Sequence, residues 1–503
     1  MVQPGLAPGA CDWIFDLGPK CGARGGHIAA EGGFTRGGLY GKCRKIDDKG
    51  TLLVKALAPL RHPLIEWGVL LILLSCIYLR GIDQVDFHRD ESHWIGTSAF
   101  LEAALDPHFT PPEWITTHQL SPGFIRWLPS RVRAGLGSME PPNDTWGTHY
   151  WTLTQPPVAR YIIAIGRRSC GYTVKELNTP WKFKISDSEN RAGGSMPARG
   201  LLRSARVTMA VMSIASGMIL FALVSSCAGR TAGWIFVVLY AGSPYLLIHL
   251  RRAMGDSPLL FFTCLAMLTG VLALQTWEMT QKRAWPLFWL AMMGFCAGLA
   301  GASKLNGLGL AGAGLALGWL IALHRRGFAT RSERLTFAVA ASLVVMLTTA
   351  ITFIAVNPFL YPNPLARTTA MLLLRTSEMG NHQTNPLWGM SGLGQRLAII
   401  PRRIFEDHAL IHFGLMNALL GSVGMVYLVR SAWHWLIGKG GSPASPVLFM
   451  VGCASVFPAL TTPLDWDRYY LFPVVFLSLL IAIGLGRSLT ELIRKLRPES
   501  PPS

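Results

Sequence analysis

Residues 64–94 read LIEWGVLLILLSCIYLRGIDQVDFHRDESHW, an apolar run followed by a polar stretch that holds an acidic pair. The apolar part, 64–82, is long enough to cross a bilayer, whose hydrocarbon core of roughly 30 Å needs about 20 residues of helix. Asp90 and Glu91 follow just beyond it. Because adjacent ionised carboxylates beside a membrane are poor packing groups, the stretch predicts a first membrane span with a chemically active site at its far end.

The composition is that of a membrane protein. Half of the 503 residues are hydrophobic and only 15% are charged, and the mean hydropathy is +0.35, whereas soluble domains carry about 25% charged residues. We therefore expect an all-α polytopic membrane protein with about ten transmembrane helices. The ten predicted spans are approximately 64–82, 205–227, 231–250, 257–275, 285–303, 306–323, 335–357, 409–430, 445–463 and 468–487.

Basic residues gather in alternate loops, which the positive-inside rule assigns to the cytoplasm. They include Arg230, Lys282, Arg325, Lys439 and Arg487. We therefore expect both termini in the cytoplasm, with 1–62 as a flexible Gly-rich tail and 488–503 as a short basic tail. The membrane is then a bacterial cytoplasmic membrane or the endoplasmic reticulum, and Asp90 faces its outer side.

The transmembrane domain, 63–487, is expected to carry two extracytoplasmic loops, 83–204 and 358–408. The first is too long for a bare connector and should form a small α-rich cap. Within it, Asp90 is expected to be the N-cap of a helix, since Asp is a favoured capping residue. Val158–Ile165 is apolar but too short to span, which is typical of a helix in the membrane interface.

We attribute the net charge of +18 to basic residues that lie at the membrane surface. Basic residues at the ends of spans meet anionic lipid headgroups, so membrane lipids are expected partners and nucleic acid is not.

The order of motifs resembles the C-type glycosyltransferases that use polyprenyl-phosphate sugars, particularly protein O-mannosyltransferases and lipid A aminoarabinose transferases. Members of that group have one span, then Asp-Glu at a helix start, then His-Pro-Pro-Leu before an interfacial helix. The counterparts here are Asp90-Glu91 and Gln155-Pro156-Pro157-Val158. Further matches are Arg206, the run Arg252 to Pro258, Gly301 to Lys304, and Arg468-Tyr469.

The chain departs from the pattern at three points, which bear on the acceptor more than on the reaction. Gln155 replaces His, Arg160 stands where mannosyltransferases have Lys, and the Asp-Glu to Pro-Pro separation is longer. The resemblance implies transfer of a hexosyl or pentosyl group, with inversion, from a polyprenyl-phosphate-linked donor to an extracytoplasmic hydroxyl acceptor.

Such a transfer needs a base, because the acceptor hydroxyl must lose a proton as it attacks the anomeric carbon. A positioned base contributes about 10² to 10⁴-fold. Asp90 is the candidate base, and Glu91 is expected to orient Asp90 or the acceptor. His93 and Trp94 are expected to line the pocket for the sugar and phosphate.

The departing lipid phosphate gains negative charge, which Arg and Lys stabilise. The alternative reading is that these cations simply extend their charge to the headgroups. The candidate phosphate-binding residues, all at outer membrane boundaries, are Arg160, Arg251, Arg252, Lys304 and Arg468.

Three other interpretations stay open. His88, Asp90 and His93 carry suitable groups for a divalent cation, although the resemblance requires no cofactor. A transporter or flippase for a lipid-linked or anionic substrate would place charges along several spans, and inverted halves with broken helices would be its sign. A membrane scaffold without catalytic activity would use the outer segment to bind a partner.

Overall fold

The computed structural model describes residues 64–105, 156–183, 185–280, 282–324, 328–357, 360, 364–384, 388–390 and 392–496. The chain divides into Met1–Asp48 and Lys49–Ser503, and every described residue belongs to the second unit. The predicted tail 1–62 and Gln155 of the predicted motif lie outside the described residues.

Helices dominate the described chain, in which the only strand-like pairing is an isolated bridge between Gly389 and Leu464. In chain order the helices are α1 (Leu64–Leu79), α2 (Arg89–Gly96), α3 (Phe100–Leu105), α4 (Val158–Ser169), α5 (Asp187–Ala192), α6 (Arg199–Ala228), α7 (Arg230–Gly242), α8 (Pro244–Arg251), α9 (Asp256–Thr280), α10 (Ala284–Ser303), α11 (Leu310–Leu323), α12 (Arg331–Ala355), α13 (Pro364–Gln383), α14 (Leu393–Arg402), α15 (Gly414–Leu436), α16 (Ala444–Thr461) and α17 (Leu471–Leu496).

Among the described residues, nine helical segments are long and apolar enough to cross a membrane, and a bent pair brings the number to ten. The nine contain α1, α6, α9, α10, α11, α12, α15, α16 and α17. The predicted all-α polytopic membrane class is therefore confirmed, and the number of spans agrees with the prediction.

The predicted span 231–250 corresponds to the bent pair, because the chain breaks at Ser243. Helices α7 and α8 meet there at an angle of 68°. Pro244 has no backbone N–H to continue the helix, and the Ser243 hydroxyl accepts a hydrogen bond from the Leu246 amide at 3.3 Å, which caps α8. The break redirects the chain just before residues 249–256, which contribute several groups to the site described below.

Glycines allow the membrane helices to approach each other closely, as is usual where packing rather than the hydrophobic effect holds helices together. Gly424 of α15 faces the backbone of α17, and a Cβ added there would lie 1.8 Å from the Leu480 carbonyl oxygen. Gly294 and Gly298 of α10 likewise face the backbone of α12. Backbone contact at these positions therefore sets the distance between helices.

The first helix of the outer segment begins two residues earlier than predicted, so the prediction that Asp90 is the N-cap is wrong. His88 is the N-cap, and its Nδ1 accepts a hydrogen bond from the Asp90 amide at 3.2 Å. The Glu91 carboxylate accepts one from the His88 amide at 3.0 Å, which completes a capping box. This reciprocal pair outcompetes a cap by Asp90 and leaves the Asp90 side chain available for other contacts.

Glu91 fastens α2 to the membrane helices. Its carboxylate accepts hydrogen bonds from Arg206 Nε at 2.8 Å and Arg206 Nη2 at 2.7 Å, and a third from the Ala253 amide at 2.9 Å. Glu91 is fully buried and Arg206 is 1% exposed. Arg206 also donates to the Ile82 and Val85 carbonyls in the short 3₁₀ turn that follows α1. One ion pair thus joins α1, α2, α6 and the turn after α8.

The predicted second outer segment is also helical. Helices α13 and α14 and a π-helical turn, Arg403–Asp407, occupy it. The Arg403 guanidinium binds the Asp465 carboxylate through Nε and Nη2, at 3.1 and 2.7 Å, and Asp407 through Nη1 at 3.1 Å. This bidentate contact holds the segment against the turn between α16 and α17.

Gly424→Ala should lower the thermal unfolding midpoint of the purified protein in detergent, because the added Cβ collides with the α17 backbone. Intrinsic helix propensity alone predicts a gain of up to about 1 kcal/mol. The matched control is Gly312→Ala on α11, where a Cβ would meet nothing within 4 Å. Equal midpoints for the two variants would contradict the close approach of α15 and α17.

Glu91→Ala should destabilise the protein by about 3 to 5 kcal/mol, because it leaves the buried Arg206 charge without its partner. Thermal or denaturant unfolding in detergent measures the effect. Glu491→Ala is the control, since Glu491 pairs with Arg494 at a site where both side chains are well exposed, and such pairs contribute about 0 to 1 kcal/mol. A loss no larger than that of the control would refute the anchoring role.

Candidate active site

Asp90 forms a buried ion pair with Arg468. Its Oδ2 accepts a hydrogen bond from Arg468 Nη1, and the carboxylate residue is only 5% exposed. Burial raises the pKa of Asp90, but the charge and hydrogen bond of Arg468 and the nearby His88 outweigh it, so the pKa lies below its usual value. Asp90 is therefore ionised at neutral pH. The contact joins α2 to the turn before α17.

A second ion pair lies at the same end of the helices. Lys304 Nζ donates to Asp256 Oδ1 at 2.7 Å, and Asp256 is 3% exposed. Gly255 makes this pairing feasible, because a Cβ there would lie 2.8 Å from the Ser303 carbonyl oxygen and 3.3 Å from the Trp94 ring. The absence of a side chain lets the start of α9 lie against the end of α10.

Two aromatic rings support the cations of these pairs. Trp466 and Tyr469 flank the short 3₁₀ turn Asp467–Tyr469, in which side chains three residues apart lie over each other. Their rings are stacked with centroids 5.8 Å apart. Arg468 Cζ lies 5.0 Å from the Trp466 ring centroid and Lys304 Nζ 5.7 Å from that of Tyr469. Cation–π attraction therefore holds each cation against one ring of the stacked pair.

Arg251 and Arg252 have different environments although they are neighbours. Arg251 donates to the Ile77 carbonyl at the end of α1. Arg252 lies near Glu91 and Asp90, and burial lowers its pKa while those carboxylates oppose the effect. Within the described part of the chain, its buried Nε has no hydrogen-bond partner. Arg251 Nε is likewise buried without a partner among the described residues, but Arg252 is the one of the two that lies near both carboxylates of the acidic pair.

The remaining predicted residues of the first outer segment lie mainly among apolar groups. Trp94 belongs to a core that includes Ala253 and Met254. Arg160 is 2% exposed, its guanidinium lies 5.5 Å from the Trp94 ring, and burial lowers its pKa to about 9. His93 stacks on Phe183 at 5.4 Å, and burial lowers its pKa to about 4, so the ring is neutral.

The Pro-Pro motif opens α4. Pro156 and Pro157 are buried, and Pro157 is the N-cap of a helix that begins at Val158, as predicted, and continues to Ser169. Placement of this helix in the membrane interface stays a prediction.

The described residues contain no group of three or more His, Cys, Asp or Glu side chains arranged to hold a metal ion. His88 and Asp90 lie 3.9 Å apart, but His93 is directed to the Phe183 ring. The geometry therefore does not support the predicted alternative of a cation held by these three residues.

Two residues of this site were not singled out from the sequence. Asp256 occurs within the motif from Arg252 to Pro258, and an acidic residue opening an apolar span was an available signal. His249 had no such signal, because the break at Ser243 that redirects the end of α8 was not predicted. Both owe their place in the site to the path of the chain between α7 and α9.

Part of the chain matches the model of a known protein family. Residues 146–366, less than half of the chain, match the family model described as dolichyl-phosphate-mannose-protein mannosyltransferase. No curated protein matches the chain by sequence.

Three solved structures illustrate the similarity. The protein O-mannosyltransferase Pmt1-Pmt2 complex of S. cerevisiae, bound to the sugar donor, is 13% identical, with a TM-score of 0.40 over 64% of this chain and 36% of that one. ArnT from Cupriavidus metallidurans, bound to undecaprenyl phosphate, is 15% identical, with a TM-score of 0.47 over 86% and 63%. The apo oligosaccharyltransferase of Archaeoglobus fulgidus is 14% identical, with a TM-score of 0.40 over 80% and 51%.

The matched region thus spans about a third to two thirds of the length of these solved chains. The resemblance inferred from the motifs agrees with the family-model match: residues 146–366 of this integral membrane protein are similar to the dolichyl-phosphate-mannose-protein mannosyltransferases.

Proposed function

We propose that the protein is a membrane glycosyltransferase that moves a sugar from a polyprenyl-phosphate-linked donor to a hydroxyl acceptor on the outer side of the membrane. Asp90 is the general base, and the transfer inverts the anomeric centre. The observation that carries the proposal is the buried, ionised Asp90 beside cations at one end of the membrane helices. The family-model match over residues 146–366 supports the donor class.

The charges of the site suit a phosphate that becomes more negative. Asp90 and Asp256 each neutralise one cation, Arg468 and Lys304 respectively. Arg252 makes no ion pair among the described residues, so it adds a positive charge. A glycosyl phosphodiester carries one negative charge, and the lipid phosphate that leaves carries up to two at neutral pH. Preorganised cations therefore stabilise the leaving group more than the bound donor.

The reaction requires three coupled changes. The acceptor oxygen forms a bond to the anomeric carbon, the bond from that carbon to the phosphate oxygen breaks, and the acceptor proton passes to Asp90. A donor phosphate beside Arg468 draws its guanidinium partly away from the carboxylate. The base strength of Asp90 then rises when the donor is in place, which favours proton removal at the correct step.

In this proposal Glu91 is a positioning residue for Asp90 and does not bind the substrate. Its two oxygens accept four hydrogen bonds, from Arg206, Ala253 and His88, so it has little capacity for substrate. It fixes the start of α2 and thereby the place of Asp90. Lys304 and Arg468 bind the donor phosphate, while Arg251, held by the Ile77 carbonyl, contributes its charge from the edge of the site.

The competing transporter model is weaker. Its expected sign is a corresponding pair of broken helices in two inverted halves, whereas one bent pair, α7 and α8, occurs among the described spans. A non-catalytic scaffold does not explain why a carboxylate is kept buried and ionised beside cations. Substitution of Asp90 separates both models from the enzyme.

Asp90→Asn should reduce transfer of labelled sugar from a polyprenyl-phosphate donor by about 100- to 10,000-fold, because the amide cannot accept the acceptor proton. The assay uses membranes that contain equal amounts of protein. Asp187→Asn is the matched control, since this exposed carboxylate pairs only with the surface residue Arg89. Full activity of Asp90→Asn would remove Asp90 as the base.

The kcat/KM for transfer, which reports groups of the enzyme without bound donor, should stay high as the pH falls from neutral to the ordinary pKa of a carboxyl group, because Arg468 and His88 hold the pKa of Asp90 below it. Arg468→Gln removes that charge but leaves the burial, so the pKa of Asp90 should rise. The acid limb of kcat/KM then moves to higher pH. Arg402→Gln, on the exposed face of α14, should leave the limb in place, and an unmoved limb in Arg468→Gln would contradict the pairing.

A further inference from the structure

His249 is a buried polar residue that the proposed mechanism does not yet use. It lies in the last turn of α8 and is 8% exposed. Its Nδ1 is buried and has no hydrogen-bond partner among the described residues. Burying such a nitrogen without a partner is unfavourable, so its retention beside the candidate site calls for an explanation.

The ring of His249 is held in a defined orientation. It packs against Tyr245 with centroids 4.7 Å apart, and Tyr245 in turn stacks on His408 at 4.2 Å. The Tyr245 hydroxyl donates to the backbone carbonyl of Asp467, next to Arg468. The stack explains where the imidazole lies, but it does not supply a partner for Nδ1.

The surroundings of His249 are those of the candidate active site. The imidazole interacts electrostatically with Asp256, Arg252 and Arg468. Arg252 follows three residues later and also has a buried nitrogen, Nε, without a partner in the described chain. Together with Arg251 Nε, one short segment therefore presents three buried nitrogens that lack a hydrogen-bond partner among the described residues.

We propose that His249 and Arg252 form a binding subsite for the phosphate of the lipid-linked donor. The neutral imidazole donates a hydrogen bond from Nδ1–H to a phosphate oxygen, and the Arg252 guanidinium supplies charge and a second donor. This assignment rests on the proposed function and names two of the groups that receive the leaving phosphate.

The subsite takes part in transfer without giving up a proton. As the bond between the anomeric carbon and the phosphate oxygen breaks, the electron pair stays on that oxygen, and the acceptor proton goes to Asp90. The hydrogen bond from His249 shortens as negative charge accumulates. A donor fixed before the reaction needs little rearrangement in the transition state, which makes such a contact effective.

Two conservative substitutions distinguish Nδ1 from the other ring nitrogen. The amide nitrogen of Asn reaches about the place of Nδ1, whereas that of Gln reaches about the place of Nε2. The full-length protein in lipid nanodiscs is tested for equilibrium binding of radiolabelled undecaprenyl phosphate. His249→Phe and His249→Gln should weaken binding roughly 10- to 100-fold, the range for a hydrogen bond to a charged group, and His249→Asn by less than about threefold.

Three controls make the result specific. Undecaprenol, which lacks the phosphate, should show no dependence on His249. Excess phosphatidic acid should displace the label much less effectively than undecaprenyl phosphate does. His434→Phe, at the last turn of α15 and far along the chain from the site, should bind as the unchanged protein does.

Wild-type affinity in His249→Phe, or equal loss in the Asn and Gln variants of a folded protein, would overturn the assignment. Equal displacement by phosphatidic acid would also overturn it, by making this a general site for lipid phosphate. Binding is independent of turnover, so the two proposals fail separately. Binding that depends on His249 without any sugar transfer would refute the transferase and leave a phosphate-lipid site, whereas transfer without that dependence would refute the subsite alone.

Discussion

The ion pair between Glu91 and Arg206 is the constraint on which the arrangement of the site depends. A fully buried carboxylate needs charge compensation and hydrogen bonds, and Glu91 receives both from Arg206, Ala253 and His88. The same contacts bring together α2, α6 and the turn after α8. Asp90 is adjacent to Glu91 and its amide belongs to the same capping box, so its position follows from a hydrogen-bond network in which its carboxylate takes no part. Glu91 is thus a structural carboxylate, and its neighbour Asp90 is the proposed base.

The site contains two ion pairs and, beside them, polar groups that have no ion-pair partner among the described residues. Asp90 with Arg468 and Asp256 with Lys304 form two near-neutral units, and aromatic rings hold their cations. Arg252 and His249 retain buried nitrogens without partners in the described chain. Ion pairs keep the site stable without substrate, while the unfilled positions favour an anionic ligand. In the proposed transferase, the ion-paired Asp90 removes the proton. The paired cations together with Arg252 and His249 bind the phosphate.

Much of this protein could be predicted by hydropathy and motif order. Spans of about 20 apolar residues can satisfy their backbone only as helices in a bilayer, so the all-α class and the number of spans followed directly. The start of α4 at Val158 followed from the preceding prolines. The N-cap residue of α2 could not be predicted from the sequence, because Asp90 and His88 both carry side chains that can cap a helix. The hydrogen bond that the His88 amide donates to the Glu91 carboxylate decided it. The break at Ser243 was missed because Pro244 lies within an otherwise continuous apolar run.

The sequence by itself determined the all-α class, the number of spans and the resemblance to polyprenyl-phosphate-dependent transferases, since these depend on local composition and order. The outer position of the acidic pair stays a prediction. Only the tertiary structure decided which charges meet. Arg468 and Asp90 are separated by most of the chain, and Asp256 reaches Lys304 because Gly255 leaves space for the end of α10. Ion-pair partners are selected by helix packing in three dimensions, and no local pattern in the sequence records that choice.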